Sequence, residues 1–169
     1  MNSLKYPLEQ LMTIKKNRYD QALKILEEKK ALLAIEEKKY KEVQEERDTV
    51  LKHKQDKLTQ LREKLDEGTT TDKIQQMKNY LKVVDERLAE KEKKVEEQRK
   101  KVAAAKTQVQ IAKDDLLQKQ KDVEKMEIHK KEWEKEVRHW MTKQEEKEHD
   151  ELGTSSDILR KKSKKKSTS

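Results

Sequence analysis

From residue 74 onward an apolar position recurs every seven residues: Ile74, Leu81, Leu88, Val95, Val102, Val109, Leu116, Val123 and Val137, with Lys130 filling the one gap. A second register, three residues later, runs through Met77, Val84, Ala105, Ala112, Met126, Trp133 and Trp140, interrupted by Lys91, Gln98 and Lys119. Together they make an a/d stripe, the pattern of a long helix with a continuous partner seam. A chain built this way folds as a rod, and the stripe must be buried against something.

The partner is expected within the same chain. Residues 8 to 66 carry a looser stripe of Leu8, Met12, Tyr19, Leu26, Leu33 and Tyr40, with Ala22, Val43, Val50, Leu58, Leu61 and Leu65 on the adjoining face. Between the two tracts lies Glu67-Gly68-Thr69-Thr70-Thr71-Asp72-Lys73, which holds the only glycine before residue 153. Gly68 suits a helix C-cap with positive φ, and Asp72 is placed to cap the following helix. So short a connection makes the neighbouring helices antiparallel. The sequence thus predicts an all-α, antiparallel coiled-coil hairpin over residues 4–151. Its helices cover about 8–66 and 74–150, the turn 67–73, and a flexible basic tail 152–169.

Composition fits this assignment. Charged residues make up 46% of the chain, cysteine and phenylalanine are absent, and Pro7 is the single proline, too little apolar material for a compact core. At about 1.5 Å per residue the two helices would reach roughly 90 Å and 115 Å. No apolar run approaches the roughly 20 residues that span a bilayer, so no membrane insertion is expected, and no cleavable signal peptide is visible. Formal net charge is +8, of which Arg160, Lys161, Lys162, Lys164, Lys165 and Lys166 supply six. The remainder is closely mixed in sign. No continuous basic groove for a nucleic-acid backbone emerges, and no specific nucleic acid is expected as a partner.

Pairing about a turn near residue 70 makes facing positions sum to about 140, which sets Leu8 opposite Lys130 to Trp133. The second helix then outruns the first. Leu8, Leu11, Met126, Trp133, Val137, Trp140 and Met141 form a candidate protein interface at this open end, since Trp and Met anchor interfaces well and exposed apolar patches otherwise cost solubility. The competing arrangement folds Asn2 to Tyr6 back over Trp133 and Trp140. In the middle, Ala31 and Ala34 fall near Ala103, Ala104, Ala105 and Ala112, so close helix approach is expected there. Lys91, Gln98 and Lys119 are read as polar seam members that fix register or admit water. After Leu152, Gly153-Thr154-Ser155-Ser156 is read as a break before the basic run, a candidate electrostatic tail for an anionic partner.

Catalytic chemistry has no foothold. His53, His129, His139 and His149 are scattered without cysteines or a carboxylate array, so each is read as a solvated or rim histidine and no metal is expected. A two-helix seam offers no pocket to shift a carboxylate pKa or hold a substrate. There is no phosphate-cradling glycine loop, so any ATP would be hydrolysed by another chain. Neither an enzyme nor a cofactor is expected.

With these features the chain resembles the YscO/FliJ family of type III secretion and flagellar export stalk proteins. The likeness spans roughly residues 4 to 150: two long charged helices, the central turn, the N-terminal Leu4-Lys5-Tyr6-Pro7-Leu8-Glu9-Gln10-Leu11, and a longer returning helix ending near Trp133 and Trp140. The resemblance implies a noncatalytic cytosolic stalk and adaptor, peripheral to the secretion apparatus. Its implied partners are a hexameric export ATPase, the export gate and export chaperones. It makes residues 4 to 20 and 126 to 150 the expected segment for insertion into an ATPase ring. The basic tail lies outside the shared hairpin and takes no role from the family. The alternative is a generic coiled-coil structural scaffold, monomeric or dimeric, whose basic tail recruits an acidic surface; association with a secretion ATPase separates the two.

Overall fold

The computed structural model describes residues 4–166, with side chains through 163. Helix α1 spans Glu9–Glu67 and α2 spans Thr71–Lys166, and the two form an antiparallel hairpin. Gly68, at φ +78°, is the only residue described with positive φ. Its N–H donates to the Leu65 carbonyl at 3.4 Å, which closes α1 as a left-handed C-cap. The Ile74 N–H donates to the Thr70 carbonyl at 3.2 Å, so Thr70, and not Asp72 as expected, occupies the N-cap of α2. Asp72 falls in the first turn, where its charge still favours the positive helix end. A Cβ built on Gly68 meets nothing within 4 Å. Gly68→Ala should therefore cost only the backbone penalty of a left-handed alanine, about 1 kcal/mol, in a denaturant titration. An unchanged midpoint would mean that the turn relaxes into another conformation.

By contacts the chain divides into a turn-side unit, Gln21–Leu117, and an open-end unit comprising Met1–Asp20 and Gln118–Ser169. In the turn-side unit α2 buries or half-buries Ile74, Met77, Leu81, Val84, Leu88, Lys91, Val95, Gln98, Val102, Ala105, Val109, Ala112 and Leu116, which is the expected heptad stripe. Leu26, Val109 and Ala112 form a buried cluster flanked by Leu33 and Leu116. Of the six alanines expected to meet in the middle, Ala31, Ala34, Ala103 and Ala104 are exposed, and Ala105 and Ala112 face inward. Their heptad positions decide this, because 103 and 104 follow Val102 away from the partner.

In α1 of this unit the covered positions also step by three and four: Ala22, Leu26, Lys29, Leu33, Glu36, Tyr40, Val43, Arg47, Val50, Lys54, Lys57 and Leu61. Five of these twelve are charged, and charged side chains along the seam find partners. Lys54 pairs with Asp85 at 2.6 Å and Lys91 with Glu46 at 2.6 Å. Gln98, buried in the seam, donates its amide to the Glu36 backbone carbonyl at 3.1 Å and to the Glu36 carboxylate. Gln98 and Lys91 thus take cross-helix partners, as register-setting polar seam residues should. The Gln98 amide first, and then the Lys39 ammonium, hold the Glu36 carboxyl below the ordinary carboxylate range. Stability gained this way is present above the unfolded carboxyl pKa and is lost as pH falls through the depressed folded value.

The C-terminal end of α2 departs from the sequence reading. The helix does not break at Gly153-Thr154-Ser155-Ser156 but continues to Lys166. A single interior glycine costs about 1 kcal/mol relative to alanine and does not stop a helix without proline or a left-handed cap beyond it. The Thr154 hydroxyl donates back to the Asp150 carbonyl at 2.6 Å, and the cations that follow complement the negative end of the helix dipole.

Candidate functional site

The open-end unit is organised by the segment before α1. Tyr6 precedes Pro7, and the Glu9 N–H donates to the Tyr6 carbonyl at 3.2 Å, closing a turn that aims the phenol across at α2. Tyr6 is buried, with 5% exposure. Its ring centroid lies 5.4 Å from that of Trp133 at a 59° tilt and 5.8 Å from His129. The Tyr6 hydroxyl stands 2.6 Å from Nδ1 of His129, within donating distance. The Lys130 ammonium sits 5.8 Å over the Tyr6 ring and binds Glu9 at 2.8 Å. The hydrogen bond that Lys130 donates to the Glu9 carboxylate, partly offset by desolvation, raises the pKa of Lys130, so it stays a cation.

Tilted aromatic contacts together with a cation over a ring make this a local lock on an otherwise charged surface. Further ion pairs, Lys15 with Asp122 at 3.5 Å and Lys16 with Glu127 at 3.7 Å, align the first turns of α1 with α2. Beside the lock runs an open groove of about 720 Å³, lined by Leu4, Tyr6, Pro7, Gln10, Trp133 and Glu134 among others.

The expected interface residues separate into two groups. Met126, Trp133 and Val137 are half-buried on the seam face of α2. Leu8, Leu11, Trp140 and Met141 are outward, with Trp140 56% exposed. The folding-back of the N-terminus is therefore realised over Trp133 through Tyr6 but does not cover Trp140; Asn2 lies outside the described residues. Of the tail cations, Arg160, Lys161 and Lys162 are exposed on the continuing helix. Lys164, Lys165 and Lys166 belong to the end of α2.

Two histidines are more engaged than a rim reading allows. His129 meets Tyr6, and in the turn-side unit His53 Nε2 lies 2.9 Å from the Tyr80 hydroxyl. Tyr80 also carries Lys57 5.8 Å from its ring centroid, and a groove of about 290 Å³ opens there beside Val50, Val84 and Arg87. Neither tyrosine–histidine pair was visible in the sequence. Tyr80 lies off the seam register, and a contact across 27 or 123 residues leaves no local signature. Among the described residues no cluster of His, Cys, Asp and Glu could hold a metal.

The YscO-like protein family matches residues 3–164 of the chain. The structure of the YscO homolog CT670 from Chlamydia trachomatis is 44% identical, with a TM-score of 0.92, over 95% of this chain and 99% of that one. A chain in the structure of the Chlamydia pneumoniae CdsV and CdsO protein complex is 49% identical, covering 47% of this chain and 96% of that chain, with a TM-score of 0.46. No curated protein matches.

Proposed function

The chain belongs to the YscO-like family, and we propose that it docks on the export ATPase of its secretion system through the open-end surface of Leu8, Leu11, Trp140 and Met141. Like its relatives it is a noncatalytic stalk and adaptor protein of a type III secretion-like system. The observation that carries the docking proposal is the contrast between the two tryptophans. Trp133 is covered by Tyr6, whereas Trp140, seven residues on and in the same register, remains 56% exposed beside the exposed Met141. A large indole left in water on a helix this charged is an anchor awaiting a pocket.

Met126, Trp133 and Val137 support that surface from the seam side. The export gate and secretion chaperones complete the set of partners that this role implies, and the cytoplasm beside the secretion apparatus is the proposed place of work. No helix among the described residues is long and apolar enough to cross a membrane.

Trp140→Ala should leave the circular dichroism melt unchanged and weaken ATPase binding by more than about 1 kcal/mol in a titration. Trp133→Ala should lower both stability and binding, because that ring also packs on Tyr6. Crosslinking with mass spectrometry on the mixture should place crosslinks at Lys15, Lys143 and Lys147 of the open end. A Trp140→Ala protein that melts earlier yet binds the ATPase normally would show the indole to be a packing residue and defeat the assignment.

A further inference from the structure

The charge at the end of α2 changes abruptly within one helix. Glu145, Glu146, Glu148, Asp150 and Glu151 precede Leu152, after which Asp157 is the last acid and six cations follow between Arg160 and Lys166. Because α2 passes through Gly153 without breaking, both blocks belong to one continuous helix. Leu152, Ile158 and Leu159 on it are 68%, 50% and 67% exposed. Leu152 and Leu159, seven apart, share a face, and Arg160, Lys161 and Lys162 lie immediately beyond them.

We propose that residues 152–166 of α2 form an adhesion element for the surface of an anionic lipid bilayer. A cluster of cations on a helix is drawn to the negative potential of such a surface, each contributing separately and additively. Leu159 and Ile158, set directly against the cations, can then enter the headgroup boundary while the charges stay at the phosphates. The same apolar pair would gain nothing on a nucleic-acid backbone, and the segment has no aromatic ring on which a base could stack. The acids at 145–151 oppose the same surface. They confine the footprint to the helix end, so that α2 meets the bilayer by its tip and does not lie along it. Apolar content this small gives adsorption and not insertion, and attraction so dominated by charge must weaken steeply with salt.

The test is co-sedimentation of the full chain with vesicles of phosphatidylcholine alone or mixed with phosphatidylglycerol. Binding is expected only to the anionic vesicles and should fade from low to physiological salt. The triple variant Arg160→Glu, Lys161→Glu, Lys162→Glu should reduce it by at least about tenfold. The neutral pair Lys161→Gln, Lys162→Gln should fall between, and Leu159→Ser should reduce it severalfold. All these positions are exposed, so helicity by circular dichroism should hold in every variant. Absence of binding to anionic vesicles, or a triple variant that binds as the parent does, would overturn the proposal. So would short duplex DNA that binds more tightly than the vesicles, displaces them, and is indifferent to Leu159→Ser, since the tail would then be a general polyanion binder.

Discussion

Leu26→Ala is expected to lower the unfolding free energy by about 3 kcal/mol, while Ile25→Ala, one residue away, costs less than about 1 kcal/mol. Leu26 is 6% exposed at the centre of the cluster with Val109 and Ala112, whereas Ile25 is 46% exposed. Truncating Leu26 opposite an alanine leaves the seam with small side chains on both sides. Neither helix can move in to fill the gap without straining the neighbouring Leu33 and Leu116, so the transfer and cavity terms add. Ile25 has water on its outer side in the native state and loses little. Urea titrations followed by circular dichroism would measure both. Equal costs at the two positions would mean that the seam is not the a/d stripe that places Leu26 inward. A negligible cost at Leu26 would mean that the helices separate at that level.

This seam also marks what could be read from the residues alone. In α2 the valines at 95, 102 and 109 hold strict sevenfold spacing through a heavily charged sequence, and all three are buried. Periodicity survives charge because the intervening residues sit on other faces of the helix. In α1 the same geometry was only half legible, since Lys29, Glu36, Arg47, Lys54 and Lys57 occupy seam positions where an apolar residue would be sought. Long stems can cover apolar surface while the heads are satisfied elsewhere: Lys54 and Glu36 reach partners on α2, whereas Arg47 and Lys57 bond to Asp48 and Gln60 within α1. The reading of a break at Gly153 gave too much weight to one residue. Gly68 terminates α1 because its φ is +78°, while Gly153 stays within α2. The apolar anchors at the open end were legible as residues, but their division into covered Trp133 and exposed Trp140 depends on Tyr6, whose reach across to α2 only the structure supplies.

Tyr6→Ala should open the N-terminal lock with the largest local effect in the open-end unit. Tyr6 contributes a buried ring against Trp133, a hydroxyl at His129 and a face for the Lys130 ammonium, and the substitution removes all three together. Loss of a buried aromatic costs about 3 kcal/mol, which raises the fraction of molecules with the 4–8 segment detached by roughly a hundredfold. Because this segment lies at a chain end, the cost appears as local opening and the global melt shifts much less. Tyr6→Phe removes only the hydrogen bond. His129 is itself exposed and can turn to water, so about 1 kcal/mol is expected. In a Trp140→Phe background Trp133 is the single fluorophore of its kind. Its emission should then move to longer wavelength and its quenching by acrylamide should increase in Tyr6→Ala, with little change in Tyr6→Phe. Should Trp133 stay as shielded without the Tyr6 ring as with it, the cover over that indole is supplied by α1 and Tyr6 is not the lock. Should Tyr6→Phe open the segment as fully as Tyr6→Ala, the hydroxyl bond to His129, and not aromatic packing, is what holds the open end together.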